Sequence, residues 1–583
     1  MPASDHAAIP PPLANASPPA FVPALRIGLA GGLIHALVIG GAFAAIHLEL
    51  LILLAPLTLA LTAQRAGARA WPAGLGVYLI SFLLWLWLSR WLVQVTPAGF
   101  ILYALIMAIY PALFVLVLNR AMWHPLTKRI PMTLLVPVIW VGIEFFRGEI
   151  FFHGYPWYLI AHPLIELPIL VQSADLFGLY GLGFLFALPA GAAMDLLRAA
   201  SSGRLRSATF RTAVPVAVIL AANVAYGVFR MQQPLDFDGP RFIIVQTNLD
   251  QDIKERWTFE QQQQDVGRWL EISAEALIAA RQAGEPPDAV IWPETTVPGF
   301  GFEPETVRFL VENRFLPSDV FTGAIERFAG RTGTPMLIGT TATLGLDVRE
   351  GQWHYESRYN SAYLIRGEPP YPRYDKRFLT PFGETMPYIS AWPWLEERLL
   401  NLAAGPVRFN LDEGSGPSLL PLETSRGPLW LAAPICFEAT MSRVCRRLVR
   451  DDAGRRADVM VNLTNDGWLG WHDLGRKHHA QSARFRAIEL RTPMVRSANT
   501  GLSIVIDSRG TIRNTIGGGR YGTPRRETTL RVQVPLDPRE TLYLRIGNLA
   551  GGISLAGLLG LLGLLIVNVF TNPRAPHSRK EVQ

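Results

Sequence analysis

The sequence is poor in cysteine, and its two cysteines, Cys436 and Cys445, stand nine positions apart. Two thiols at this spacing do not form the disulfide framework of a small secreted domain, and they do not form a CxxC pair. The adjacent histidines His478 and His479 lack a third ligand at helical or hairpin spacing. We therefore expect neither a metal ion nor another cofactor.

Charged residues are also few in this sequence. Asp, Glu, Lys and Arg make up 17% of the 583 residues, whereas apolar residues make up 50%, and the mean hydropathy is +0.22. This balance indicates that part of the chain lies in lipid. The net charge of +7 is modest and lies mainly in short loops, so the composition does not favour a nucleic-acid partner.

Long apolar runs account for this composition. A helix of ~20 residues matches the ~30 Å hydrocarbon core of a bilayer. Eight apolar segments predict about eight transmembrane helices, at 25–46, 48–63, 74–94, 98–118, 131–148, 176–197, 212–229 and 548–570. Residues 1–24 are rich in Pro and Ala and lack Lys and Arg, so we expect a flexible tail there and not a cleaved signal peptide.

Basic residues in the short loops predict the orientation of these segments. The loops near His47 and at 95–98 have neither Lys nor Arg, whereas the alternate loops and the C-terminal tail are basic. This distribution predicts that both termini are cytoplasmic and that residues 230–547 lie on the outer side, which is the periplasm for a bacterial inner membrane. Residues 25–229 are then a membrane domain, and 571–583 form a basic cytoplasmic tail.

Residues 230–547 have the pattern of a soluble α/β domain. After a linker at 230–240, short apolar runs alternate with helical or loop stretches. Strands are predicted at 241–246, 289–294, 335–340, 359–365, 430–437, 458–464 and 494–507. Residues 391–425 are irregular and rich in Gly, Pro and Ser, so we expect loops over the mouth of a site.

Three chemically active side chains end predicted strands of this domain: Glu294, Lys376 and Cys436. A carboxylate, an ammonium group and a thiol can act as base, electrostatic stabiliser and nucleophile. The spacing alone leaves two alternatives open. Cys436 can be a small core residue, and Glu294 and Lys376 can form a structural ion pair.

Polar residues interrupt the apolar segments near their outer ends. Arg90, Glu144 and Arg147 can mark a functional path. Alternatively, Arg90 snorkels to the interface, and Glu144 pairs with Arg147 three positions later. The next loop, which contains Tyr155 and Trp157, is aromatic and broken by Gly and Pro. We expect it at headgroup depth, where it is a candidate for a lipid entry.

The segments around the three active side chains resemble motifs of the nitrilase, or carbon-nitrogen hydrolase, superfamily. They are Trp292-Pro293-Glu294, Tyr374-Asp375-Lys376-Arg377 with Pro381-Phe382-Gly383-Glu384, and Ile435-Cys436-Phe437-Glu438. Seven apolar segments before such a domain and one after it resemble the apolipoprotein N-acyltransferase family in particular. The resemblance implies an α-β-β-α sandwich inserted in a polytopic α-helical membrane domain.

The resemblance also implies an N-acyltransferase that completes bacterial lipoprotein maturation. An acyl chain, typically the sn-1 chain of phosphatidylethanolamine in this family, would leave a phospholipid, form a cysteine thioester and pass to the α-amine of a diacylated lipoprotein. By motif position, Cys436 is the implied nucleophile, Glu294 the base and Lys376 the oxyanion stabiliser. The implied supporting residues are Glu384, Glu438, Trp257, Asn360 and Trp468. The family-based expectation is a monomer in the inner membrane.

The motifs depart from the family pattern at Phe437, where a Tyr is common, and at Leu469, where Phe is usual. Asp466 is expected to cap the helix that follows it, and Cys445 is expected to be inert. Two other functions stay open. One is a membrane-anchored nitrilase-type amidase that hydrolyses a small amide, although an anchor needs one span and not eight. The other is a transporter or scaffold with an inactive hydrolase domain, which the intact set of active side chains disfavours.

Overall fold

The computed structural model of the chain describes residues 21–571, apart from 45–46, 69, 95, 251–253, 255, 382, 386–391, 393, 395–397, 399–410, 417, 471–472 and 524. Residues 1–20 of the predicted tail at 1–24 lie outside the described residues. Its last four residues already belong to helix Phe21–Ala44, so the predicted boundary is late. Residues 572–583 of the predicted basic tail at 571–583, and most of residues 391–410 in the predicted loop at 391–425, also lie outside the described residues.

Six helices within the described part of the chain are long and apolar enough to cross a bilayer: Phe21–Ala44, Ala70–Leu88, Gly99–Trp123, Ala174–Ser201, Leu205–Gln232 and Leu549–Ile566. They coincide with six of the eight predicted segments. The other two segments form shorter helices, each joined to a 3₁₀ or π turn: Glu49–Leu54 with Ala55–Arg65, and Met132–Phe145 with Phe146–Ile150. The count of eight spans therefore stays a prediction.

Short helical turns connect the membrane helices on the side of the α/β domain. They are Arg90–Gln94, Phe151–His153, His162–Glu166 and Pro168–Val171. The helix that follows the first of them, Pro97–Trp123, begins where the Thr96 side chain accepts a hydrogen bond from the backbone N–H of Gly99 at 3.1 Å. This contact satisfies one of the N–H groups that a helix leaves unpaired at its start.

The α/β domain contains fourteen described strands. They are β1 Arg241–Gln246, β2 Ala289–Ile291, β3 Met336–Leu344, β4 Asp347–Arg349, β5 Gln352–His354, β6 Ser357–Ile365, β7 Arg373–Asp375, β8 Leu420–Thr424, β9 Gly427–Ala432, β10 Val459–Thr464, β11 Met494–Ala498, β12 Ile504–Ile506, β13 Ile512–Thr515 and β14 Thr528–Gln533. The helices of this domain are Phe259–Gln282, Pro304–Glu312, Val320–Thr332, Ser442–Leu448, Asp473–Leu490 and Leu542–Ile546. Each strand predicted from the sequence is present, but 494–507 is two antiparallel strands, and the predicted loop at 391–425 ends in β8.

Twelve of these strands form two six-stranded mixed sheets, ordered β14-β1-β2-β3-β6-β7 and β13-β12-β11-β10-β9-β8. Phe242 of β1 belongs to the core shared by the two sheets, whereas its neighbour Ile243 packs with helices Phe259–Gln282 and Val320–Thr332. This alternation follows from the two-residue period of a strand. Helix Asp473–Leu490 contacts the second sheet. The layers are therefore helix, sheet, sheet, helix, as expected for an α-β-β-α sandwich.

The membrane helices and the α/β domain share one buried core. Trp157 of the aromatic loop lies in the same apolar cluster as residues of both sheets. Two buried ion pairs also cross the boundary, Arg484 with Glu166 at 3.0 Å and Arg491 with Asp175 at 2.7 Å. Charges buried in this way are costly unless they stay paired. The α/β domain is therefore packed onto the membrane helices and is not merely tethered by them.

Candidate active site

Glu294 lies three residues beyond the end of β2 and is buried. A Cβ atom on Gly339 of β3 would lie 2.6 Å from the Cα of Glu294, so only glycine lets β3 run this close. The Glu294 carboxylate accepts two hydrogen bonds of 2.8 Å, one from Nδ2 of Asn360 and one from the backbone N–H of Asn465. Asn360 belongs to β6 and Asn465 follows β10. Both sheets thus hold this carboxylate.

Lys376 directly follows β7, and its side chain is 1% exposed. Its Nζ atom donates to Oε2 of Glu384 at 2.5 Å and lies 3.7 Å from Oε1 of Glu294. Burial opposes the charged form, but Glu384, Glu294 and Cys436 together outweigh it and raise the pKa of Lys376 above its ordinary value. The ammonium group therefore stays charged at neutral pH, which an electrostatic stabiliser requires.

Glu384 holds the Lys376 ammonium group in place. Its Oε2 atom also accepts from the backbone N–H and the hydroxyl of Thr380, both at 2.8 Å. Oε1 accepts from Nδ2 of Asn360 at 3.1 Å. Burial acts in the opposite direction, but Lys376 and Thr380 lower the pKa of Glu384. This carboxylate is therefore ionised and accepts four hydrogen bonds, whereas Glu294 accepts two, so Glu294 is the better candidate for a proton acceptor.

Cys436 follows β9 and begins the 3₁₀ turn Cys436–Thr440. Its φ of +50° is uncommon for a residue with a side chain, and such backbone strain clusters at functional sites. The residue keeps part of its surface exposed. The low-polarity surroundings of the thiol and the charge of Glu294 raise its pKa, against the opposing effect of Lys376. The resting group is thus a thiol, and its reaction as a nucleophile needs a base.

Glu438 joins the segments that carry Lys376 and Cys436. It is fully buried and accepts four hydrogen bonds of 2.8–2.9 Å. The donors are the hydroxyl of Tyr374 and the backbone N–H groups of Arg377, Phe378 and Ile435. The first three belong to the segment around Lys376, and the fourth precedes Cys436. One carboxylate therefore sets the distance between the two segments.

A buried polar network that was not predicted from the sequence lies behind Cys436. Arg496 in β11 donates from one nitrogen to both oxygens of Asp466, at 2.6 and 2.7 Å. Nδ1 of His479 lies 2.9 Å from the Asp466 carboxylate. Asn462 in β10 donates to the Cys436 carbonyl oxygen at 3.3 Å and accepts from Arg496 at 2.8 Å. A charged residue inside an otherwise apolar strand was the signal, because such a charge needs a buried partner.

The expectation that Asp466 caps a helix is wrong. The side chain that caps the 3₁₀ turn Asp466–Leu469 belongs to Asn465, which accepts a hydrogen bond from the backbone N–H of Gly467 at 3.1 Å. Asp466 turns inward to Arg496 instead. Burial acts against ionisation, but Arg496 and His479 hold the pKa of Asp466 well below its ordinary value.

Near-parallel aromatic rings connect the membrane loop to the cysteine. Phe437, next to Cys436, lies 6.3 Å from Tyr155, 6.5 Å from Trp157 and 6.1 Å from Phe378, measured between ring centroids. The planes of these pairs differ by 16–18°. We call Tyr155, Trp157, Phe437 and Phe378 the aromatic row. These rings and Cys436 belong to or pack against the same apolar cluster, so apolar surface from the membrane domain reaches the part of the fold that contains Cys436.

Glu144 and Arg147 hold the backbone of the aromatic loop. Glu144 accepts a hydrogen bond from the backbone N–H of Ile160 at 2.8 Å. Arg147 donates to the carbonyl oxygens of Trp157 at 2.6 Å and Tyr155 at 3.4 Å. Both side chains are buried. Their hydrogen bonds therefore go to the loop, in place of the simple pair that their spacing allowed.

The remaining predicted positions make contacts in other parts of the fold. Trp257 donates from Nε1 to Asp265 at 2.7 Å and packs in the helix layer. Trp468 leaves 45% of its surface exposed. Arg90 donates to the carbonyl oxygen of Trp87 at 2.7 Å, near the surface. Cys445 is buried, and its thiol donates to the Glu438 carbonyl oxygen at 3.3 Å.

Comparison with known proteins assigns both parts of the chain. Residues 35–192 match the apolipoprotein N-acyltransferase N-terminal domain, and residues 244–523 match the carbon-nitrogen hydrolase domain. The chain is 30% identical over 473 residues to an apolipoprotein N-acyltransferase of Geobacter metallireducens, covering 80% of this chain and 79% of that protein. The corresponding protein of Rhodopseudomonas palustris is 30% identical over 534 residues, covering 88% and 87%. The chain belongs to the apolipoprotein N-acyltransferase family, and it is an N-acyltransferase.

Proposed function

We propose that this enzyme moves an acyl chain from a phospholipid, through a thioester on Cys436, to the N-terminal α-amine of a diacylglyceryl-cysteine in an apolipoprotein. Family membership supports lipoprotein N-acylation in general. The observation that carries the finer proposal is the convergence of Glu294, Lys376 and Cys436 beneath the aromatic row. A carboxylate base, a fixed cation and a thiol beside apolar surface suit a lipid ester better than a small water-soluble amide.

In the first half-reaction, Glu294 takes the proton from the Cys436 thiol, and the sulfur attacks the ester carbonyl carbon. Negative charge develops on the carbonyl oxygen, and the Lys376 ammonium group stabilises it. The intermediate collapses to the thioester, and the bond to the glycerol oxygen breaks. That oxygen takes the proton from Glu294 and leaves as the hydroxyl of a lysophospholipid. The carboxylate is then ready for a second proton transfer.

In the second half-reaction, the α-amine of the lipoprotein attacks the thioester carbonyl carbon. An α-amine has a pKa of about 8, so a useful fraction is unprotonated at neutral pH. As the new amide bond forms, the nitrogen loses a proton to Glu294, and the sulfur leaves. Glu294 returns the proton to the sulfur and regenerates the thiol. One base therefore serves both transfers.

Exclusion of water is necessary because a thioester exposed to water would hydrolyse. The aromatic row supplies apolar cover from both domains, and Arg147 and Glu144 hold the loop that carries half of it. The acyl chain of a membrane lipid can leave the bilayer along such a surface without crossing water. The sn-1 chain of phosphatidylethanolamine is the donor that we propose.

We also propose the topology that the basic loops predict. Residues 21–229 form a membrane domain of seven spans, 230–547 form the periplasmic catalytic domain and 548–570 form the eighth span. Residues 1–20 and 571–583 are cytoplasmic. We propose that the enzyme acts as a monomer in the bacterial inner membrane, since the three active side chains come from one chain.

The test uses membranes that contain the full-length protein, a labelled phospholipid and a diacylated lipopeptide. We expect a triacylated product and a labelled enzyme band that hydroxylamine removes. Cys436→Ala should abolish both, whereas Cys445→Ala, a matched loss of a buried thiol, should retain both. Product formation by Cys436→Ala would refute the assignment of the nucleophile. Hydrolysis of a small amide without any triacylated product would favour the amidase.

A further inference from the structure

The carbonyl group of Cys436 is held from two sides. Nε2 of His479 and Nδ2 of Asn462 each lie 3.3 Å from its oxygen atom. The residue that carries this carbonyl has a φ of +50°, a conformation that is unfavourable for a residue other than glycine. A strained backbone of this kind persists only where its surroundings hold it. The two contacts are therefore candidates for what keeps the nucleophile in place.

The other ring nitrogen of His479 is equally constrained. Nδ1 lies 3.0 Å from Nη2 of Arg496 and 2.9 Å from Oδ1 of Asp466. The Cys436 carbonyl oxygen can only accept a hydrogen bond, so Nε2 must carry a hydrogen to bind it. Nδ1 then accepts from Arg496. The opposite neutral tautomer would direct a lone pair of Nε2 at the carbonyl oxygen.

The surroundings of His479 isolate it from water. The residue is 3% exposed, and the ring of Trp157 lies 5.8 Å from its own ring. Burial and the charge of Arg496 lower the pKa of His479, while Asp466 acts in the opposite direction. His479 lies on helix Asp473–Leu490 and Arg496 lies on β11, so both partners are on regular elements. The ring therefore has one preferred orientation.

We propose that His479 is a positioning residue for acyl transfer, whose Nε2–H holds the Cys436 carbonyl group and so keeps the nucleophile in the left-handed conformation of the active site. Arg496 orients the ring by donating to Nδ1, and Asp466 accepts from the same arginine nitrogen and so holds it in place. The proposal rests on the proposed function, because it takes Cys436 as the nucleophile. His479 contacts the backbone of Cys436 and acts through it.

The test compares His479→Gln with His479→Asn in the full-length protein. The amide nitrogen of Gln reaches about as far as Nε2 of His, whereas that of Asn reaches only about as far as Nδ1. The measurement is the single-turnover rate of thioester formation at several phospholipid concentrations. We expect His479→Asn to slow this step by roughly tenfold to a hundredfold at an unchanged half-saturating concentration, because a small misplacement of a reacting group costs about this much. His479→Gln should stay within about threefold of the unchanged enzyme.

Three results would overturn the proposal: normal rates in both variants, equal losses in both, or a greater loss in His479→Gln. Equal losses would indicate a packing role. His354→Gln, at an exposed position on β5, is the matched control and should have no effect. If His479→Asn does not fold, Asp466→Asn should slow the same step by roughly tenfold or more, and a normal rate there would refute the orienting network.

A second readout separates this proposal from the proposed function. Alkylation of Cys436 by iodoacetamide needs no lipid, and its rate reports the position and environment of the sulfur. We expect the alkylation rate of His479→Gln to be close to that of the unchanged enzyme, and the alkylation rate of His479→Asn to differ from it. Failure of the unchanged enzyme to form a thioester would refute the proposed function. Identical alkylation of both variants would refute the role of His479.

Discussion

Nζ of Lys376 lies 3.7 Å from Oε1 of Glu294, which is too long for a good hydrogen bond and short enough for strong electrostatic attraction. The ammonium group instead donates to Glu384 at 2.5 Å. The two carboxylates near Lys376 therefore have different tasks. Glu384 fixes the cation, and Glu294 stays able to accept a proton.

Substitution of Glu384 tests this division. Glu384→Gln should lower the rate of acyl transfer by roughly tenfold to a hundredfold, because the ammonium group would move toward Glu294 and away from the developing oxyanion. The rate of thioester formation from labelled phospholipid measures the effect. Glu423→Gln, at an exposed position on β8, is the control and should be neutral. An unchanged rate in Glu384→Gln would contradict the role of the Lys376–Glu384 contact.

Substitution of Glu294 should separate catalysis from thiol ionisation. Glu294→Gln should slow both half-reactions by roughly a hundredfold or more, since general-base catalysis contributes about this much. The negative charge of Glu294 raises the pKa of Cys436, so its removal should lower that pKa. The pH profile of Cys436 alkylation should therefore shift toward lower pH while acyl transfer is lost. A shift toward higher pH would contradict the electrostatic coupling.

Glu438 should contribute to stability as well as activity. In Glu438→Gln the amide NH₂ group would face backbone donors, so at least one buried N–H group would lose its partner at a cost of about 1–3 kcal/mol. We expect a lower midpoint of thermal unfolding in detergent and slower thioester formation. Glu271→Gln, on an exposed helix position, should change neither. A normal midpoint with normal activity would show that the two catalytic segments do not need this link.

At position 437 in the aromatic row, acyl transfer should tolerate the phenol ring of Tyr and should be slowed by the aliphatic side chain of Leu. Phe437→Tyr should stay within about threefold of the original rate, because the ring and its neighbours are retained. Phe437→Leu loses the three ring contacts, each of which contributes about 0.5–1.5 kcal/mol beyond area burial. We expect roughly a tenfold loss of acyl transfer from phospholipid vesicles. Equal activity of the two variants would show that stacking is unimportant.

The topology has its own test, which does not depend on activity. A reporter that is active only in the periplasm should work when inserted at Gly351, in the exposed turn between β4 and β5. The same reporter should be silent when it follows residue 583. Both results follow from the excess of Lys and Arg in the loops assigned to the cytoplasm. Periplasmic activity at the C-terminus would refute the proposed orientation.

The sequence was most informative where the signal was periodic or chemical. Six of the eight helices predicted from apolar runs are long enough to span a bilayer, and the short apolar runs predicted strands that lie in both sheets. The positions of Glu294, Lys376 and Cys436 at strand ends also followed from the pattern. Each of these features depends on residues that are close together in the chain, which is why a linear pattern could predict them.

Contacts between distant residues could not be predicted in this way. His479 meets Cys436 across 43 positions, and Glu438 meets the segment after Lys376 across 60 and 61 positions. Asp466 looked like a helix cap because a cap is the usual role of Asp in that local pattern. Its real partner, Arg496, is 30 positions away in a neighbouring strand. Tertiary pairing of buried charges overrides local preference, and it leaves only a weak trace in the sequence.

The groups of the candidate active site are divided between the two sheets, so both sheets must fold before these groups can meet. Glu294 and Lys376 follow strands of one sheet, and Cys436 follows a strand of the other. Neither half of the sandwich holds a complete reactive set. Under the proposed mechanism, thioester formation therefore requires that the two halves have closed on each other, and a chain with only one folded half would be inactive.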